Sequence, residues 1–195
     1  VNQFMSGGLV CSTEPLDKID RERLYNLRHV MPVIPTKIKP VGMMNWERYP
    51  EIVKIQISNK KSVCLAYVNW SDEDEMEIEL TLSKEMLPEG CGEKDRFVVC
   101  DFYGRIHQVN VGVGASVRMS ALKPHAATVI KIECMGDAPI IVESDGHYSM
   151  GAEIQTLEIK DGQLHVVYNN TFDYPVSYKV LLPKDYAAVD QNIQI

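Results

Sequence analysis

The spacing of apolar and polar positions changes once along this chain, from a helical period near its start to a period of two afterwards. From Ile52 onward the alternation is that of strands. "IVKIQIS" alternates, and "EMEIELTL" sets Met76, Ile78, Leu80 and Leu82 on one face against glutamates on the other. "SVCLAYVNW" is an almost unbroken apolar run and reads as a central strand. "RFVVCDFY", "RIHQVNV", "SVRMSAL" and "HAATVIKIE" follow, separated by Gly, Pro and charged turns. Beyond Asp137, "APIIVES", "HYSM", "AEIQTLEIK", "QLHVVYNN" and "VSYKVLLP" are strand-like again. Asp161-Gly162 within "KDGQ" is a two-residue hairpin signal between two alternating segments. Many short strands at close spacing predict a mainly β chain, an antiparallel sandwich. "TKIKPVGMMNWERYPE" reads as irregular, "GVGAS" as a hairpin loop, and the tail "DYAAVDQNIQI" as loosely held.

The opening is different. Residues 4–11 (FMSGGLVC) read as a short strand interrupted by Gly7-Gly8. "STEPLDKID" is a turn, and Asp20 is a suitable N-cap. A helix of about three turns then carries Leu24, Leu27 and Met31 at i, i+3 and i+7, with Arg21, Glu22, Arg23 and Arg28 on the other face. Pro32 and Pro35 end it. A stripe this narrow needs another surface, so the helix is expected to pack on the sandwich or on a second copy of the chain.

With 195 residues the chain can bury a core without staples. Its net charge of -7 argues against nucleic acid or an anionic membrane as partner. No run approaches the ~18 apolar residues of a membrane span, and the start lacks the basic and apolar regions of a signal peptide. Five cysteines, an odd number without a C-x-x-C pair, read as free thiols of a reducing compartment, the cytoplasm. Zinc ligands are expected at closer spacing.

Candidate chemistry is sparse. The acidic run "WSDEDEMEIE" reads as a solvated loop, and "DFYGR" as a strand ending in a turn with Gly104 at positive φ. Histidines 29, 107, 125, 147 and 165 show no ligand spacing, so neither a metal nor another cofactor is expected. Asn69-Trp70-Ser71 and Asn169-Asn170-Thr171 are formal glycosylation sequons that mean little beside free thiols. Trp46 and Trp70 could stack on sugars but fit core or hinge roles.

Four stretches together resemble melibiase-like glycoside hydrolases, the α-galactosidases and α-N-acetylgalactosaminidases of families 27 and 36. "MSGGLVCSTEPLDKIDRERLYNLRHVMP" is similar to the end of their catalytic barrel, with Ser6-Gly7-Gly8, then Ser12-Thr13-Glu14, then a helix closing at Met31-Pro32. "VCLAYVNWSDEDEMEIELTL", "FVVCDFYGR" and "ALKPHAATVIKIE" resemble strands of their C-terminal β domain. The resemblance implies a late β/α unit of a truncated (β/α)8 barrel over residues 1–36 and a C-terminal antiparallel sandwich over 37–133. Residues 134–195 are then additional strands continuing or flanking it. The parent would be a retaining glycoside hydrolase, with its catalytic aspartates on barrel strands outside this chain. This chain would support the barrel and be non-catalytic itself, with Ser12, Thr13 and Glu14 at the border of the parent's substrate pocket. Its partner is then the missing barrel, carbohydrate is met only through the parent, and the exposed helix allows a homo-oligomer. A free-standing carbohydrate-binding or structural sandwich module is the alternative.

Overall fold

A computed structural model describes residues 4, 15, 17–42, 51–58, 60–104, 107–169, 172, 174–183 and 191–194. Among the described residues, helix α1 (Arg21–Arg28) precedes β1 (Thr36–Pro40), β2 (Ile52–Ile57), β3 (Ser62–Val68) and β4 (Met76–Thr81). A 3-10 turn (Lys84–Met86) leads to β5 (Phe97–Asp101), β6 (His107–Val111), β7 (Ser116–Leu122) and β8 (Ala127–Cys134). The remaining strands are β9 (Ile140–Ser144), β10 (Ile154–Lys160), β11 (Gln163–Tyr168), β12 (Ser177–Leu181) and β13 (Gln191–Gln194). The chain is mainly β, and among the described residues every strand pair is antiparallel.

The organising element is a six-stranded sheet in the order β1-β2-β3-β8-β5-β6. Its central strands are buried on both faces, which is why "SVCLAYV" has no polar alternation. One face presents Val63, Leu65, Phe97, Val99, Ile130 and Ile132 to the two-stranded sheet β4–β7, through Ile78, Leu80, Val117 and Leu122. Burial of Ile78, Leu80 and Leu82, with Glu79 and Thr81 exposed between them, matches the alternation in the sequence. The other face presents Cys64, Ala66, Val98, Cys100 and Val129 to Ile140, Val142, Tyr148 and Met150, with Val30 and Phe102 completing the cluster. A third cluster, with Ile141, Ile154, Tyr178 and Val180 at its centre, joins β9, β10 and β12.

Lysines bridge these layers. Lys131 points inward from β8, nearly fully buried, and its Nζ donates to the carbonyls of Ile141 (2.9 Å) and Met150 (3.1 Å). Burial alone would push its pKa down. Glu133, two residues on and ion-paired with it, is the chief influence against that, and on balance the pKa is raised, so the ammonium stays charged. Lys54 donates to the carbonyls of Glu85 and Leu87, and Lys60 to that of Ile154.

Several elements depart from the sequence reading. Thr36–Pro40, read as irregular, is the edge strand β1. A proline is tolerated there because an edge strand need not donate from every residue. "HYSM" is a turn rather than a strand, its residues buried beneath the sheet's second face. "GVGAS" is not a hairpin: it carries the chain from β6 in the large sheet to β7 in the small one. The tail, read as loosely held, includes β13, which pairs with β12. Asp161 (φ 51°) and Gly162 (φ 74°) do form the tight turn between β10 and β11. Of the expected opening strand only Phe4 is described, and its backbone is helical.

The helix is shorter than expected and docks differently. After Arg28 its bonds tighten to i→i+3, from His29, Val30 and Met31 back to Asn26, Leu27 and Arg28. That closing turn drives His29 and Val30 inward and rotates Met31 out to 49% exposure. Leu27 packs on the core, whereas Leu24 is 45% exposed. The expected three-residue stripe therefore reduces to Leu27, and His29 and Val30 supply the rest. Replacing Leu27 with Asp should cost about 1–3 kcal/mol, the range for a polar group buried without a partner. Leu24→Asp should be nearly neutral in the same urea titration, and equal losses would show that the helix docks through its expected stripe.

Candidate functional site

A cavity of about 280 Å³ opens where α1 meets the ends of β9 and β12 and the turn after β5. Tyr25 and His29 form one wall, Phe102 and Tyr103 another, and Glu143, Asp145 and Lys179 the third. Local chemistry sets each of these. The turn Asp101–Gly104 closes with the Gly104 amide donating to the Asp101 carbonyl at 3.1 Å. Gly104 has φ 68°, and a Cβ there would stand 2.8 Å from the Glu143 carboxyl carbon. The positive φ favours glycine there, while the flexible end of the Glu143 side chain could give way to a Cβ, and the turn sends Phe102 into the core while Tyr103 stays 46% exposed on the groove.

The helix wall is held by rings and charge. Tyr25 meets His29 edge-on at 5.0 Å, and the Arg28 guanidinium lies 3.7 Å over the Tyr25 ring. Arg28 also donates to the Asp145 carbonyl at 3.3 Å, which ties α1 to the end of β9. The Asp145 carboxylate accepts the Ser177 amide at 2.7 Å and so fixes β12. His29 is buried, and its Nδ1–H donates to the Gly146 carbonyl, which leaves Nε2 as the acceptor. Burial lowers its pKa, against the raising effect of that carbonyl. The groove thus offers two half-exposed tyrosine rings, one of them capped by Arg28, beside two carboxylates and an ammonium. Such a lining can stack on an apolar ring face and hydrogen-bond to hydroxyl groups.

Behind the groove lies a second histidine, His147. Its Nδ1 accepts the Ser149 amide at 3.0 Å and lies 2.8 Å from the Ser149 hydroxyl, so the proton sits on Nε2. Nε2 makes no well-formed hydrogen bond, although the Val30 carbonyl acts on the ring. Burial pushes the His147 pKa down to about 4. Cys64 and Cys100, buried on the same sheet face, are pushed up to about 12 for the same reason. These are neutral, packed groups.

The residues singled out in the sequence fare unequally. Ser12, Thr13, Glu14, Cys11 and Trp46 lie outside the described residues. Cys64, Cys91, Cys100 and Cys134 are free thiols. Asn69 is buried, its amide donating to the carbonyls of Asp74 (2.8 Å) and Leu122 (2.9 Å), so in the folded chain it is a turn residue and not an accessible sequon. Only residues 71–75 of the acidic run form the expected exposed loop, where Asp72 pairs with His125 at 3.1 Å, because from Met76 on the run is strand β4, which turns Ile78 into the core. Trp70 is 39% exposed and does not line the groove. Sequence reasoning missed Tyr25, Tyr103, Glu143 and Asp145 as a group. The signal within reach was "DFYGR", whose glycine forces a sharp turn with an aromatic residue at its tip. Comparison with known proteins places nothing beside this chain: no family model, curated protein or solved structure matches it.

The buried histidines set a pH dependence. His147 is near 4 in the folded chain and about 6.5 when unfolded. Between those values the unfolded chain binds the extra proton, so stability falls as pH drops from about 6.5 towards 4. The full span amounts to about 3 kcal/mol for this one group. Melting followed from pH 7 to pH 4 should show this loss, and His147→Gln should flatten it. An unchanged slope in the variant would assign the loss to other groups.

Proposed function

We propose that this chain is a non-catalytic accessory β module of an α-galactosidase-like glycoside hydrolase, which docks on the enzyme's catalytic barrel through α1. The observation that carries this reading is the outer side of the α1 region. Leu24, Tyr25, Met31 and Val33 are each 45–49% exposed there, four large apolar side chains facing solvent within ten residues. It adds to the four sequence stretches that resemble the barrel end and C-terminal domain of that family. On this reading the free thiols belong to a cytoplasmic protein. Among the described residues no helix is long and apolar enough to cross a membrane.

A second reading has a specific observation behind it. Tyr25 and Tyr103, with Glu143, Asp145 and Lys179 beside them, make the groove a fitting contact for a sugar, which favours a free-standing carbohydrate-binding module.

One experiment separates the two. The purified chain, and the same chain joined to its barrel, are offered nitrophenyl α-galactoside and nitrophenyl α-N-acetylgalactosaminide, and galactose binding is measured on both. Accessory function predicts hydrolysis by the joined protein only, with no galactose binding by the chain alone. Turnover by the chain alone, lost on replacing one of its carboxylates, overturns the accessory reading. Galactose binding by the chain alone, lost in Tyr103→Ala, moves the assignment to the binding module. A concentration-dependent dimer of the chain alone, dispersed by Met31→Asp, would instead give these apolar side chains to a second copy.

A further inference from the structure

Cys91 and Cys134, 43 positions apart, bring their sulfur atoms together beside the carboxylate of Asp95, all three ligand atoms lying within 4.8 Å of one another. Among the described residues no other three His, Cys, Asp or Glu side chains converge in this way. We propose that these three side chains form a binding site for a zinc-class divalent metal.

The local backbone builds the site. Cys91 follows the 3-10 turn, its amide donating to the Pro88 carbonyl at 3.2 Å. The loop then folds back over Gly92, with the Asp95 amide on the Gly92 carbonyl at 3.1 Å and the Gly92 amide on Asp95 Oδ2 at 2.7 Å. The second bond aims the carboxylate, as hydrogen-bonded carboxylates at metal sites are aimed. Cys134 ends β8, opposite Phe97 of β5, where its amide donates to the Lys61 carbonyl at 3.0 Å. Cys91 and Cys134 are half-buried against the core of the sheet's first face.

Ligand type and spacing fit. Cys91 and Asp95 are separated by three residues in one loop, within the two-to-four usual for paired ligands of one knuckle, and Cys134 supplies a third from a strand. Around a tetrahedral zinc, with Zn–S about 2.3 Å and Zn–O about 2.0–2.2 Å, neighbouring ligand atoms stand about 3.5–3.8 Å apart. The observed cluster therefore needs a contraction of about 1.3 Å at most. Two thiolates select zinc over magnesium or calcium. Their protons leave on binding, and the dication offsets two of the three negative charges. Lys61 lies close enough to act on Cys134 and offset part of the rest. Three protein ligands leave the fourth position to water. A disulfide would use only the sulfurs and leave the carboxylate with its bond to the Gly92 amide alone.

The test uses chelator-treated, reduced protein, with Co²⁺ as a spectroscopic probe and Zn²⁺ as competitor. The expected result is one equivalent of Co²⁺ bound with thiolate-to-metal charge-transfer absorption, displaced by Zn²⁺. Zinc should also shield two thiols from maleimide and raise the melting temperature of the unaltered protein. Cys91→Ser and Cys134→Ser should abolish the absorption, Asp95→Asn should weaken binding at least tenfold, and Cys64→Ser should leave it unchanged. Absence of Co²⁺ absorption in the unaltered protein, or its persistence in the doubly substituted Cys91→Ser, Cys134→Ser chain, overturns the proposal. So does reduced protein that binds no metal yet joins Cys91 to Cys134 on exchange with oxidised glutathione, which would make the pair a redox couple instead.

Discussion

A buried ammonium donating to main-chain carbonyls of a neighbouring layer is the interaction on which this fold depends. Stacked β layers meet through side chains, but the turns and irregular strands that cover a sheet bring carbonyl groups with no ladder partner. Leaving such a group dry and unpaired costs about 1–3 kcal/mol. Lys131 answers one such carbonyl at Met150, in the covering turn, and donates to a second at Ile141 of β9, from a central strand of the six-stranded sheet. It can do so because Glu133 on the same side of β8 keeps it charged against the desolvation that opposes it. Lys54 performs the same service for the 3-10 turn and Lys60 for the start of β10, both with pKa values pushed down by burial. Charge-assisted bonds of this kind are roughly twice as strong as neutral ones. They are also directional, so they fix where each covering layer sits, which apolar packing alone does less sharply.

This arrangement explains where binding chemistry can be found. A sheet covered on both faces has no open face on which to lay a ligand. The chemistry is displaced to the margins, where layers end and turns converge. The tyrosine-lined groove lies at one such margin, between α1 and the ends of β9 and β12. The Cys91, Asp95 and Cys134 cluster lies at another, between a loop and the end of β8. Both join segments distant in sequence, and both depend on the covering layers holding their register.

What the sequence made legible were features with a local cause. Alternation identified β4, the unbroken apolar run identified β3 as central, and Asp161-Gly162 placed a hairpin. Edge strands β1 and β13 were not legible, since lysines, a proline and polar residues replace the apolar signal at a sheet edge. Lys131 was hidden because in "VIKIE" a lysine on an inward position looks like the polar half of an alternation. His29 lies near His147, and Cys91 near Cys134, only through tertiary contacts. No spacing rule written along the chain can show such pairs. The helix stripe misled for a different reason: its last turn tightened, which changed the side chains that face inward.

Hydrogen exchange on the Lys131→Met variant tests the role of the ammonium most directly. Methionine keeps most of the apolar stem and removes the charge, so packing is little changed while the Ile141 and Met150 carbonyls lose their donor. If the lysine holds the covering layer, amides across residues 140–150 should exchange faster while those of β4 and β7, on the opposite face, keep their protection. Unchanged exchange over 140–150, or a uniform acceleration across both faces, would contradict the account and leave apolar packing as what places that layer.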